Sequence, residues 1–150
     1  MNRILAFATA AVVVLLMGCS TRSISEREAI PVPVGLTLEK VEGAVRTALQ
    51  RARWQHQWKR GDWRLESSEP GRIVAGMQWD VYYLQLGIRF TEESVKTEIL
   101  GSRNLNQEKG RIHRLAIGQQ KRVEQEIAEQ LGYLVAPLPP GYPADSIVNW

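Results

Sequence analysis

Between Arg51 and Arg64 the basic residues Arg51, Arg53, Lys59, Arg60 and Arg64 are interleaved with Trp54, Trp58 and Trp63, and Asp62 is the one acid among them. Guanidinium forks match phosphate geometry, and tryptophan prefers interfaces that are apolar on one side and wet on the other. Residue types in this pattern suit contact with lipid headgroups, phosphates or sugars. Two backbone arrangements would present them differently. If the preceding helix ran on, each residue would advance about 100°, and Trp54 and Trp58 would stack opposite the apolar stripe as an exposed basic aromatic ridge. If the helix stops near Arg53 and the chain turns at Gly61, the tryptophans fold back as lids on the core beneath arginine stems. The second arrangement is the expected one, because large aromatic rings are usually buried.

Elsewhere the residues that do chemistry are sparse. His56 and His113 are far apart and have no Cys, Asp or Glu at ligand spacing, so neither a metal site nor a cofactor is expected. There is no nucleophile elbow, phosphate-cradling glycine loop or zinc-binding helix motif. Glu92, Glu93 and Glu98 read as turn and exposed-strand charges rather than a paired acid and base. Ser102, Arg103, Asn104 and Asn106 form a polar loop that, with His113, is a candidate recognition cluster. His113 itself stands just before a helix and reads as a loop or capping residue. No catalytic residue is assigned and no enzyme is expected.

Cys19 is the only cysteine, and its surroundings explain it. Arg3 supplies a positive start, Ile4 to Met17 is an apolar run, and Gly18 places a small residue before Cys19, the layout of a secretory signal. The run is about 14 residues long, short of the roughly 20 that a helix needs to cross a bilayer, so a cleaved signal over residues 1–18 is expected. Leu16-Met17-Gly18-Cys19 resembles the lipobox of bacterial lipoproteins. That resemblance implies lipidation: a diacylated thiol, cleavage before Cys19, and acylation of the new amine with a palmitate-class chain. Two acyl chains already hold a protein stably, so three would be effectively permanent. Ser20, where retention in the inner membrane would favour Asp, implies the periplasmic face of the outer membrane. Acylation also removes the only thiol, leaving no disulfide framework.

The formal charge is +3 over 150 residues, with acids and bases mostly interspersed, so no nucleic-acid partner is expected. About 130 residues would remain after cleavage, enough for one core. Residues 19–36 mix Ser, Thr, charges, Pro31 and Pro33 and read as a flexible tether of roughly 20 Å. Residues 37–132 read as the globular domain. Thr37 caps a helix whose Val41, Val45, Ala48 and Leu49 line one side. Alternating runs from Trp63 to Ile99, broken at Glu69-Pro70-Gly71-Arg72, after Trp79 and at Thr91–Ser94, read as four strands. Ile112–Leu131 reads as a second helix ending at Gly132. The expected fold is α+β: helix, four-stranded antiparallel β-meander, helix, with both helices on one face of the sheet. Residues 133–150 are a proline-rich tail.

Ala48-Leu49 with Trp54, Pro70-Gly71-Arg72-Ile73 with Ala75, Ser102–Asn106, and Ile112-His113 with Val123 and Ile127 resemble a family of small uncharacterised bacterial lipoproteins. In that pattern a tyrosine and a tryptophan follow the Ile-His pair, where this chain has Ala116 and Gln119. The family carries no assigned activity, so the resemblance implies address and architecture. The expectation is an anchored, non-enzymatic binding or interaction module, its partner an envelope protein, peptidoglycan or lipopolysaccharide. The rivals are a small periplasmic enzyme near His113 and the Ser102–Asn106 loop, and a structural subunit that pairs through its edge strands.

Overall fold

The computed structural model of the protein describes residues 21–56 and 59–133. The apolar N-terminal run with Cys19, the position of Trp58, and residues 134–150 of the proline-rich tail lie outside the described residues. The chain order begins β1 (Thr21–Ser23), β2 (Ile30–Pro31), α1 (Leu38–Arg51), β3 (Trp54–His56) and β4 (Lys59–Gly61). It continues β5 (Trp63–Glu69), β6 (Arg72–Trp79), β7 (Tyr82–Phe90), β8 (Ser94–Arg103), β9 (Arg111–His113) and α2 (Arg114–Gln130).

Helix α1 begins where the Thr37 hydroxyl accepts the Lys40 N–H at 3.5 Å, and Glu39 sits near the positive end of its dipole. Its apolar stripe, Val41, Val45, Ala48 and Leu49, is buried. In the sheet, strict alternation places Ile73, Ala75, Met77 and Trp79 of β6, Leu84, Leu86, Ile88 and Phe90 of β7, and Val95 of β8 in the same core. Each fully buried Ile, Leu or Met among them stabilises by about 1.5–3 kcal/mol. The turn at Pro70-Gly71 needs glycine: Gly71 has φ +76, its carbonyl accepts the Phe90 N–H at 2.8 Å, and a Cβ there would lie 3.0 Å from the Phe90 oxygen.

The sheet corrects the expected architecture. It has five antiparallel strands in the order β2-β8-β7-β6-β5, not four, and β1-β9 and β3-β4 form two further two-stranded sheets. The helices do not form a plain layer over one face; they contact each other more than either contacts the sheet, and α2 also packs on β1 and β9. The extra strands come from residues read as tether. Thr21 pairs with His113 and Ser23 with Arg111, while Ile30 pairs with Val95 and Pro31 with Ser94. The Ile24 N–H donates to the Gly110 oxygen at 2.7 Å and the Val32 N–H to the Glu93 oxygen at 2.8 Å. Strands of two or three residues have too few positions to show a period, and Pro31 is tolerated because β2 is an edge. Ile112, placed in the second helix by its apolar character, is instead buried on β9, and α2 starts two residues later.

Candidate functional site

The basic aromatic stretch lies at one end of the sheet, where β4 contacts β6. Helix α1 stops at Arg51, and the Trp63 indole N–H donates to the Ala52 oxygen at 2.9 Å, fastening the start of β5 to the end of α1. The residues between them leave as the β3–β4 ribbon, with Trp54 opposite Gly61 and Gln55 opposite Arg60. Its root fits closely: a Cβ on Gly61 would lie 3.1 Å from the Trp79 Cβ. A continuous helix carrying Trp54 and Trp58 as a ridge is therefore excluded, because Trp54 lies in a strand. The side chains of Trp54, His56 and Lys59 lie outside the described residues.

Arg51, Arg53, Arg60 and Arg64 are exposed. Arg53 and Arg60 share the Asp62 carboxylate at 3.5 and 3.3 Å, with about half of each side chain in water. Such contacts stabilise little, and one carboxylate cannot neutralise two guanidinium groups. The ribbon root thus keeps positive charge that can meet an anion.

Most of the polar loop cluster makes contacts within the fold. Arg103 lies 5.1 Å from the Tyr83 ring centroid and donates to the Gln78 side chain at 3.3 Å. Asn104, in the left-handed region at φ 59, donates from Nδ2 to the Val81 oxygen at 2.6 Å. Asn106 (φ 50) is exposed at the next bend. The Ser102 hydroxyl donates to the Gln107 side chain at 2.8 Å. His113 caps α2: its Nδ1 accepts the Leu115 N–H at 3.3 Å, and its own backbone N–H donates to the Leu105 oxygen at 2.7 Å. Burial, and then the charge of Arg114, push its pKa below the usual histidine range.

Two polar clusters escaped sequence reasoning. On the sheet face away from the core, β5 bulges at Glu66, whose carboxylate crosses Gly76 to accept the Tyr83 hydroxyl at 2.5 Å and the Gln85 amide at 2.5 Å. A Cβ on Gly76 would collide with that carboxylate. Burial, then the Glu66 contact, push the Tyr83 hydroxyl up to about 12.

The second lies beside a cleft of ≈ 480 Å³ between the Ile24–Arg27 segment, β8 and Gln120. Here the Gln120 amide donates to the Thr97 hydroxyl at 3.0 Å, Thr97 donates to Glu124 at 2.5 Å, and Arg27 grips the same carboxylate through Nε at 3.0 Å and Nη2 at 2.5 Å. A hydroxyl on a carboxylate is the pairing of nucleophile and base, but Thr97 is buried and Arg27 grips the same Glu124 carboxylate, so the group is a clamp. The cleft's other charges are also paired, Lys96 with Glu26 and Arg89 with Glu98. No spacing signal could have revealed a clamp whose partners are 97 residues apart.

Among the described residues, no group of three or more His, Cys, Asp or Glu could hold a metal ion, and no helix is long and apolar enough to cross a membrane. No protein-family model, curated protein or solved structure matches the chain.

Proposed function

We propose that the protein is a lipid-anchored lipoprotein of the outer membrane's periplasmic face, whose folded domain is a non-enzymatic binding or interaction module for anionic envelope material. The observation that carries this reading is the Leu16-Met17-Gly18-Cys19 stretch, placed two residues before the first strand of a domain that exposes Arg51, Arg53, Arg60 and Arg64. Exposed arginines around a single shared acid are the chemistry that phosphate and carboxylate partners require.

The anchor is tested by the mass of the N-terminal peptide of protein extracted from membranes. The expected peptide begins at acylated Cys19, and Cys19→Ala leaves an uncleaved chain; a mature chain that starts elsewhere with a free thiol contradicts the reading. The surface is tested by binding to anionic vesicles or lipopolysaccharide. Replacing Arg53, Lys59 and Arg60 by Gln should weaken binding about fivefold per charge, from roughly 1 kcal/mol per basic residue at an anionic surface. Unchanged affinity would remove the ribbon from the binding surface.

A further inference from the structure

The chain is fixed to the domain from Thr21 onward, and consecutive Cα atoms are about 3.8 Å apart, so Cys19 is held within about 8 Å of Thr21. That reach equals the distance of about 8 Å over which charge is felt at physiological salt, and is far below the roughly 20 Å of a flexible leash. It matters which end of the molecule is held so closely. Thr21 pairs with His113, whose N–H binds the Leu105 oxygen, and neighbouring Asn104 binds Val81 in the β6–β7 turn. That turn, the end of β8 and the start of β5 share one end of the sheet, and Trp63 joins it to the end of α1. The β3–β4 ribbon leaves from the same end.

The charges divide accordingly. Exposed Arg22, Arg53, Arg60, Arg64, Arg103 and Arg111 lie toward the end where β1 begins. The acids there are Asp80, Asp62, already shared by two arginines, Glu66, bound to Tyr83 and Gln85, and Glu108, 3.5 Å from Lys109. The opposite end, at the Glu69-Pro70 and Thr91–Ser94 turns and the start of α1, exposes Glu39, Glu69, Glu92 and Glu93 beside Lys40, Arg72, Arg89 and Lys96, of which Arg89 and Lys96 are already paired with Glu98 and Glu26. We infer that the domain stands with its arginine-rich end on the bilayer that holds its own anchor, against the phosphates of anionic lipid headgroups, and points its acidic end into the periplasm. The inference rests on the lipid anchor proposed above; guanidinium groups held within charge-sensing distance of phosphates supply the contact.

Acylation of Cys19 leaves no other cysteine in the chain, so single introduced cysteines can be labelled selectively. Full-length acylated protein carrying a fluorophore at Val81→Cys, near the basic end, or at Glu93→Cys, at the acidic end, is reconstituted into vesicles with nitroxide-headgroup lipid. The vesicles contain phosphatidylcholine with or without phosphatidylglycerol. The expected result is several-fold stronger quenching at position 81 than at 93 with phosphatidylglycerol present. The difference should shrink without it, or when Arg22, Arg53, Arg60 and Arg111 are changed to Gln in a variant whose thermal unfolding remains cooperative. Equal or reversed quenching overturns the orientation, and a difference indifferent to both lipid and arginines overturns the headgroup contact. The N-terminal mass of the same sample separates the two failures: a free Cys19 sinks the anchor, whereas acylated Cys19 with equal quenching sinks only the orientation.

Discussion

His113 joins three elements through one residue, because its ring caps α2, its backbone binds the Leu105 loop and its position pairs with Thr21. Only the unprotonated ring nitrogen can accept the Leu115 N–H. With its folded pKa below the usual value of about 6.5, the unfolded chain takes up the proton first as the pH falls. The stability His113 contributes is therefore fully present above about pH 6.5 and is lost as the pH falls through the lowered folded value. Urea unfolding at pH 7 and pH 5 should show wild type losing more stability than His113→Asn, which keeps a capping acceptor that does not titrate; equal losses would remove His113 as the cause. At neutral pH, His113→Ala should cost about 1 kcal/mol. A capping role was legible in the sequence because His113 directly precedes an apolar stripe. The Glu66–Tyr83–Gln85 cluster was not, because it depends on a bulge that moves one residue across a neighbouring glycine.

At the scale of elements, legibility followed length and period. The stripe of α1 and the alternation of β6 and β7 stand out because each buries four or more side chains at the period of its element. Segments β1 and β2 do not, because their pairing is decided by partners far away in the chain, Thr21 with His113 and Ile30 with Val95. The β3–β4 ribbon carries no Asn-Gly or Asp-Gly turn signal, so its charges and rings drew attention before its backbone could be read. The consequence is measurable at Arg27, which ties the N-terminal segment to α2 and, through Thr97, to β8. Arg27→Ala should lower stability by about 2 kcal/mol, the scale of a charged hydrogen-bonded pair that is partly exposed, whereas a loose tether would lose nothing. The urea midpoint at constant slope distinguishes these outcomes. At the other edge of the sheet, β5 pairs only with β6 among the described residues, but it bears Arg64, Glu66, Glu69, a bulge and adjacent Pro70. Charges, bulges and proline are the features that discourage strand addition, so this edge is a poor site for assembly.

Over the whole molecule, the N-terminal segment runs from the basic end, past the cleft and the Arg27–Glu124 clamp, to the Thr91–Ser94 turn at the acidic end. With Cys19 acylated as proposed, a chain bound along this path would couple the residues next to the anchor to the core and give the domain a fixed attitude instead of a floating one. Composition could not reveal this, because a net charge of +3 does not say which charges each end of the sheet exposes. Hydrogen exchange at two amides gives the most direct check, the Ile24 N–H bound to Gly110 and the Val32 N–H bound to Glu93. If the segment is part of the fold, both exchange slowly, on the timescale of the β8 amides. Exchange at the rate of an unstructured peptide, with β8 still protected, would return residues 21–36 to a leash and remove the basis for a fixed orientation at the membrane.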